Sequence, residues 1–463
     1  MLRLYNTMSG RKEILSHEGE EVKIYTCGPT VYDFAHIGNF RAYIVHDMLR
    51  RYLKFKGFKV RQVMNITDVD DKTIKRSREE GISLKEYTAR YEKAFFEDMK
   101  AVNIERVEHY PRATEHISDM VKIIKVLLEK GYAYYARDKS IYFDISRFRD
   151  YGKLSGIKIS SLKEGARVKQ DEYAKNEARD FALWKAYSKE DGEVFWETDI
   201  GKGRPGWHIE CSAMSMRYLG ETLDIHAGGV DLIFPHHENE IAQSEACTGR
   251  QFSKLWVHNE HLLVEGRKMS KSLGNFFTLR ELLDRGYNPM AIRYLLLATH
   301  YKRKLNFTFK ALKDAEITLK RLEDFTDRIA KLEVEGGSYM KENIDKVREK
   351  FFSALDDNLD TPKALSYIFT IVKEVSREIS SGKVGTEDKN EIIRLINDFN
   401  YIFAVLQERK NELPEELRRL IKEREEARAR GEFKKADGIR DYLLSKGIEI
   451  EDTREGTGWR WRI

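Results

Sequence analysis

The chain has 463 residues, 41% of them hydrophobic and 34% charged, which is long enough for several cores and too long for a single one. Its net charge of +5 permits a polyanionic partner without requiring one, three cysteines are too few for a disulfide framework, and no stretch is apolar enough to cross a bilayer. The opening MLRLYNTMSGRKEI lacks the apolar run of a secretory leader, so a cytoplasmic protein that meets no membrane is expected.

Val22 to Tyr25 reads as an apolar-rich strand, and the CGPTVYDFAHIGNF that follows is broken by its glycines and proline into a loop. Ile44, Val45, Met48, Leu49, Tyr52 and Leu53 then recur with helical period, with Asn39 placed to cap that helix. A second strand-like stretch runs from Val60 to Ile66. Strand, loop, helix, strand implies a right-handed crossover onto a parallel sheet, and such sheets bind nucleotides at the carboxyl ends of their strands. From about 115 to 200 the rhythm is interrupted by a helix near His116 to Lys130 and a hairpin at YAYYARDKSIYFDI, which predicts an inserted subdomain. The α/β pattern resumes at LDIHAGGVDLIF, whose double-glycine loop is expected to border the same cleft.

After about Lys310 the chain turns helical. Leu312, Ala315, Leu319, Leu322, Phe325, Ile329 and Leu332 fall at steps of three and four, and Asp360, Thr361 and Pro362 mark a further helix start, so a bundle is predicted. Past Pro414, two short charged helices are expected to turn Leu417, Leu420 and Ile421, and Phe433, Ala436, Ile439 and Leu443, inward. Gly447 is placed to end the second, before an aromatic and basic tail, EDTREGTGWRWRI.

Two short strings carry chemistry in combination. In HIGN, His36 can donate a hydrogen bond, while the missing side chain of Gly38 lets a nucleotide approach the backbone at a helix start. In KMSKS, Lys268 and Lys271 lie between Gly266 and Gly274, a cationic loop suited to closing over a triphosphate. Either string alone is more economically explained as an ordinary turn. Together they supply what displacement at an α-phosphate needs: a loop for the base and positive charge where the pyrophosphate leaves.

HIGN and KMSKS, in this order and on these elements, resemble the signature pair of the class I aminoacyl-tRNA synthetases. The longer strings CGPTVYDFAHIGN, NITDVDDK, RPGWHIECSAM, DIHAGGVDLIFPHHENEIAQSEA and KMSKSLGNFFT, with ARARGEFKKADGIRDYLLSKGIEIEDTREGTGWRW near the end, are similar to the cysteinyl branch over essentially the whole chain. Asn39 departs from the wider class, which usually has a second histidine there; asparagine still donates to phosphate or ribose oxygen.

The resemblance implies an α/β fold. A Rossmann-type parallel-sheet catalytic domain would span 1–260, with a connective insertion at about 115–200, and a region over 261–310 would carry the KMSKS loop and meet the tRNA stem. A helical-bundle anticodon-binding domain over 311–405 and a small C-terminal tRNA-binding domain over 406–463 would follow. It implies ligation of cysteine to its tRNA through cysteinyl adenylate, with ATP accompanied by Mg2+, and a monomer. His36, Gly38, Asn39, Asp231, Lys268 and Lys271 would contact ATP. Thr67, Trp207, His226 and Asp231 would border the amino-acid pocket, Asp231 taking either the substrate amino group or the adenosine ribose.

By spacing alone, cysteines as far apart as Cys27 and Cys211 are more often buried small hydrophobes than ligands, although His236 and Glu240, four apart, share a helix face. The resemblance implies that Cys27, Cys211, His236 and Glu240 hold one zinc ion, leaving His237 and Cys247 as structural or surface positions. Zinc binds a thiolate strongly and a neutral hydroxyl poorly, so it would separate cysteine from serine without an editing domain. Trp459, Arg460, Trp461 and Arg462 are the expected RNA contacts, by stacking and phosphate pairing. Two other activities share parts of these motifs: a ligase joining cysteine to an amino sugar in mycothiol synthesis, and a non-catalytic RNA-binding paralogue. The long helical and GTGWRW regions argue against the first, and the intact motifs against the second.

Overall fold

The computed structural model describes residues 1–17, 19–157, 167–168, 180–270, 273–406, 415–446, 448–453 and 456–461. Lys271, Gly447 and Arg462 lie outside the described residues. Two compact units are present, Met1–Val405 and Leu406–Ile463.

The first unit is organised on a four-stranded, wholly parallel sheet in the order Ser253–Asn259, Leu223–Gly229, Glu21–Thr26, Lys59–Met64. Leu223–Gly229 is buried along nearly its whole length, as expected of a parallel strand covered on both faces. The helix Ile37–Phe55 makes the crossover from the third to the fourth of these strands. A hairpin of Arg3–Asn6 and Arg11–Ile14, which the sequence reading did not anticipate, borders the sheet, where the Asn6 side chain accepts from the Trp256 N–H at 3.1 Å and donates to the Lys254 carbonyl at 3.1 Å.

Between the strands Lys59–Met64 and Leu223–Gly229 the chain forms the helix Ile117–Glu129 and a second, mostly antiparallel sheet, which includes the expected hairpin as Ala133–Tyr135 paired with Ile141–Phe143. A third, small sheet of Leu262–Val264, Arg267–Lys268 and Leu305–Phe307 carries the start of KMSKS. It is tied to the first helix by Arg41, fully buried, whose guanidinium donates to the carbonyls of Glu260 and His261 at 2.6 Å each and to that of Arg303.

The bundle helices are Phe309–Lys331, Lys341–Asp356, Thr361–Ser380 and Thr386–Phe403. Thr308 and Asp360 cap the first and third by accepting from the Ala311 and Lys363 N–H groups. The end of the last helix is held to the first helix of the chain by a buried ion network: Arg293 pairs with Asp47 and donates to the carbonyls of Phe403 at 2.6 Å and Val102 at 3.0 Å, while Arg51 donates to Asp47 at 2.9 Å. Satisfying so many guanidinium donors is what makes two buried arginines tolerable.

The second unit comprises helices Glu415–Ala429 and Phe433–Ser445 and a hairpin of Ile448–Thr453 with Gly456–Trp461. Ile421, Leu443, Ile448 and Ile450 form its core, with Leu417, Leu420, Ile439 and Trp459 packed against it. Ala436 is buried, but Phe433, expected inward, is 63% exposed. As the first residue of its helix it precedes the turns that touch the hairpin. Among the described residues no helix is long and apolar enough to cross a membrane.

Candidate active site and metal centre

The carboxyl ends of the parallel strands deliver the site. Cys27 directly follows Glu21–Thr26, Thr67 lies three residues past Lys59–Met64, and Asp231 lies just beyond Leu223–Gly229. Cys211 comes from the helix Trp207–Leu219, His236 from the wide helical turn Ile233–His237, and Glu240 from the helix it leads into. One donor atom from each of Cys27, Cys211, His236 and Glu240 lies within 4.8 Å of the others. His236 Nε2 is 3.1 Å from Glu240 Oε1, and Cys27 Sγ is 3.9 Å from the same oxygen.

All four are buried. A carboxylate and two thiols withdrawn from water together are costly unless a cation joins them, and two sulfurs, one imidazole nitrogen and one carboxylate oxygen are a donor set that suits zinc. The electrostatics separate the thiols. Burial pushes Cys27 well up, reinforced by its hydrogen bond to Cys211 and the nearby carboxylates. Burial also pushes Cys211 up, but the Cys27 hydrogen bond and His236 outweigh it and bring Cys211 down to about 6.

The cluster has a supporting layer that the sequence reading missed. His226, expected in the amino-acid pocket, is fully buried within its strand with Nε2 2.9 Å from Glu240 Oε2, a contact that orients the carboxylate. His237, expected at a structural or surface position, is fully buried, with Nε2 3.3 Å from Cys27 Sγ and Nδ1 2.7 Å from His258 Nε2. One donor atom from each of Cys27, His226, His237 and Glu240 likewise lies within 4.8 Å of the others. His208 Nδ1 stands 3.0 Å from His236 Nδ1. Burial and the neighbouring imidazoles push His237 and His258 well down, so both rings are neutral. The doubled histidine of PHHENE and the histidines of GWHIE and WVHNE were the available signal.

Close approach requires Gly228 of HAGGVD, which faces a buried ring, whereas Gly229 faces only the exposed Asp231 carboxylate, which can swing aside. A Cβ on Gly228 would lie 2.8 Å from His237 Cε1, and one on Gly229 would lie 2.3 Å from Asp231 Oδ1. Asp231 is exposed just past this turn. Trp207 is half-buried, its ring centroid 4.2 Å from that of His236, so it lies against the metal-donor cluster. Thr67 is buried, with Oγ1 hydrogen-bonded to both Asn65 and Glu210.

HIGN lies at the start of the first helix, but the cap is His36 rather than Asn39. The two close a reciprocal pair, with the Asn39 N–H donating to His36 Nδ1 at 3.2 Å and the His36 N–H to Asn39 Oδ1 at 3.2 Å. Because Nδ1 accepts from a backbone donor, the proton of the neutral ring belongs on Nε2. The segment just after KMSKS runs alongside. The Ile37 N–H donates to the Phe277 carbonyl at 3.1 Å, the Leu279 N–H to the Ala35 carbonyl at 3.3 Å, and the rings of His36 and Phe276 meet edge-on at 5.3 Å. A Cβ on Gly38 would come 2.9 Å from His36 Nδ1 and 3.4 Å from Met269 Cε, so the glycine clears the His36 ring and Met269 of KMSKS is its neighbour. Lys268 is exposed at the end of its strand, and Asn275 braces the loop by donating to its carbonyl at 3.2 Å and accepting from the Ser270 N–H at 2.9 Å.

In the C-terminal unit Arg460 and Trp461 lie on the last strand, opposite Glu449 and Ile448, and Trp459 faces Ile450 and packs on the core.

Three family models match the chain: the tRNA synthetases class I (C) catalytic domain over 13–317, the DALR domain over 350–407 and the cysteinyl-tRNA ligase anticodon binding domain over 410–460. A cysteine–tRNA ligase of Protochlamydia amoebophila is 48% identical, the match covering 98% of this chain and 97% of that protein. One from Leptospira interrogans is 47% identical over 99% of both. Among solved structures, Mycobacterium tuberculosis methionyl-tRNA synthetase in complex with methionyl-adenylate shares the fold, with a TM-score of 0.62 at 14% identity, covering 83% of this chain and 90% of that one. With a parallel-sheet core, neighbouring HIGN and KMSKS segments and relatives matching end to end, the chain belongs to the cysteine–tRNA ligase family of class I aminoacyl-tRNA synthetases.

Proposed function

We propose that the chain activates cysteine with ATP and transfers it to the 3′-terminal ribose of its tRNA, acting as a monomer in the cytoplasm. The observation that carries this reading is the buried set of two thiols, an imidazole and a carboxylate at the carboxyl edge of the sheet. Cys27, Cys211, His236 and Glu240 would hold one zinc ion, which when bound supplies a soft Lewis acid for the substrate thiolate. Trp207 covers one side of this pocket, and Asp231, exposed at its mouth, is the acceptor for the substrate ammonium or the adenosine ribose.

In the first step the cysteine carboxylate oxygen forms a bond to the α-phosphorus of ATP while the bond to pyrophosphate breaks. His36 donates from Nε2 to the nucleotide, in the tautomer fixed by Asn39. Gly38 leaves room for the nucleotide against the first helix, and Lys268 and Lys271 neutralise the charge gathering on the phosphates, with Mg2+ accompanying ATP. In the second step a ribose hydroxyl of the tRNA attacks the cysteinyl carbonyl and AMP leaves. Trp459, Arg460, Trp461 and Arg462 are assigned to the tRNA, and Trp459, which also packs on the core of its unit, steadies the hairpin that carries Arg460 and Trp461. The match to an anticodon-binding domain over 410–460 favours tRNA over a small amino-sugar acceptor.

Pyrophosphate exchange tests the first half and tRNA charging the second. Cysteine is expected to drive exchange and serine to fail at equal concentration, with cysteine then appearing on the cognate tRNA. Exchange without charging would point to the amino-sugar ligase, and no exchange to a non-catalytic paralogue.

A further inference from the structure

The two thiols of the donor cluster ride on different elements, one after a strand and the other within a helix. Their chain neighbours, Gly28 and Glu210, are nevertheless joined by an unbroken series of hydrogen bonds. The Gly28 N–H donates to Asn65 Oδ1 at 2.9 Å, Asn65 Nδ2 donates to Thr67 Oγ1 at 3.1 Å, and Thr67 Oγ1 donates to Glu210 Oε2 at 3.0 Å. Asn65, Thr67 and Glu210 are 2%, 1% and 0% exposed, so water does not compete for these bonds.

The direction of the series is set at its first link. A backbone N–H can only donate, so Asn65 must turn its oxygen to Gly28 and its amide to Thr67, which leaves the Thr67 hydroxyl hydrogen for Glu210. Glu210 Oε2 accepts that hydrogen whether the carboxyl is ionised or carries its proton on Oε1, an oxygen with no hydrogen-bond partner among the described residues. The backbones are equally close. The Thr67 N–H donates to the Pro29 carbonyl at 3.0 Å, and a Cβ on Gly28 would stand 1.8 Å from the Asn65 carbonyl oxygen, so no other residue fits beside Cys27 without moving it.

We infer that Asn65, Thr67 and Glu210 are positioning residues of the metal centre, a relay that fixes the separation of Cys27 from Cys211 without contributing a donor of its own. The inference rests on the zinc reading of this cluster. Partners that orient metal ligands are worth roughly 10- to 100-fold in metal affinity. Thr67 is the link whose loss opens the series with least change of shape, because valine keeps its volume and removes only the hydroxyl's hydrogen bonds.

The test is zinc release from the full-length, zinc-loaded protein to excess chelator, without cysteine or ATP, accompanied by the thiolate-to-metal charge-transfer band of the cobalt-substituted form. Thr67→Val is expected to release zinc roughly 10- to 100-fold faster and to shift that band, while Thr67→Ser, which keeps the hydroxyl, stays near the parent. Asn65→Asp, which still accepts from Gly28 but cannot donate to Thr67, provides a second variant should the valine form fail to fold; it too is expected to release faster. If either folded variant keeps zinc as long as the parent, the relay is overturned while the zinc site stands. A parent chain that takes up no zinc would overturn both.

Discussion

Replacing Cys211 by serine is expected to abolish stoichiometric zinc binding and, with it, the preference for cysteine over serine. The reason is chemical rather than steric. Serine and cysteine differ by one atom, and a pocket that measures only shape separates such pairs by about 10²-fold or less. Any larger preference must come from a group that binds sulfur and oxygen differently, and the buried donor set provides it. A serine at 211 keeps the volume but offers a hydroxyl that stays protonated in place of a thiol already brought down to about 6. Metal content, measured on the purified variant, is expected to fall from about one ion per chain toward none. The ratio of cysteine- to serine-dependent pyrophosphate exchange should collapse to the shape-only range. A variant with full zinc and unchanged selectivity would remove the metal from the account.

The second large effect is expected at the phosphate loop. Lys268→Ala and Lys271→Ala should each slow adenylate formation by about 10²- to 10³-fold, the range for losing one preorganised donor at a centre where charge develops. The apparent affinity for cysteine should change little, because the metal-donor cluster is built from other elements. Stopped pre-steady-state exchange reads the two separately. A large rise in the cysteine KM with an unchanged rate would contradict the division of labour proposed between the two loops and the metal centre.

How much of this was legible in the sequence differs by kind of contact. The strand, loop, helix and strand opening was readable because Val22–Tyr25 and the 44–53 stripe are local patterns, and the observed elements Glu21–Thr26 and Ile37–Phe55 extend them by a few residues. The helix cap was misplaced because asparagine and histidine three apart can each close a first turn, and only the geometry shows His36 accepting from the Asn39 N–H. The N-terminal hairpin was missed because Arg3–Asn6 and Arg11–Ile14 are four-residue strands with charged outer positions, too short to show alternation.

The pairing of the supporting histidines, though not their presence, was illegible for a different reason. Cys27 and His237 lie 210 positions apart, and nothing in either neighbourhood says that His226 faces Glu240 rather than the cleft. Single-sequence patterns encode periodicity and turns, while long-range pairing of polar groups appears only when strands are placed in order. Trp459 shows the same limit in reverse. An aromatic beside arginines suggests an RNA contact, while the packing of Trp459, opposite Ile450, against the core of its unit is visible only in the structure.

X-ray absorption at the zinc edge, recorded on the purified protein before and after adding cysteine, addresses the central claim most directly. The account predicts a resting site with the two sulfurs of Cys27 and Cys211 plus lighter donors, and one additional sulfur when cysteine, but not serine, is present. An unchanged sulfur count on adding cysteine would contradict it.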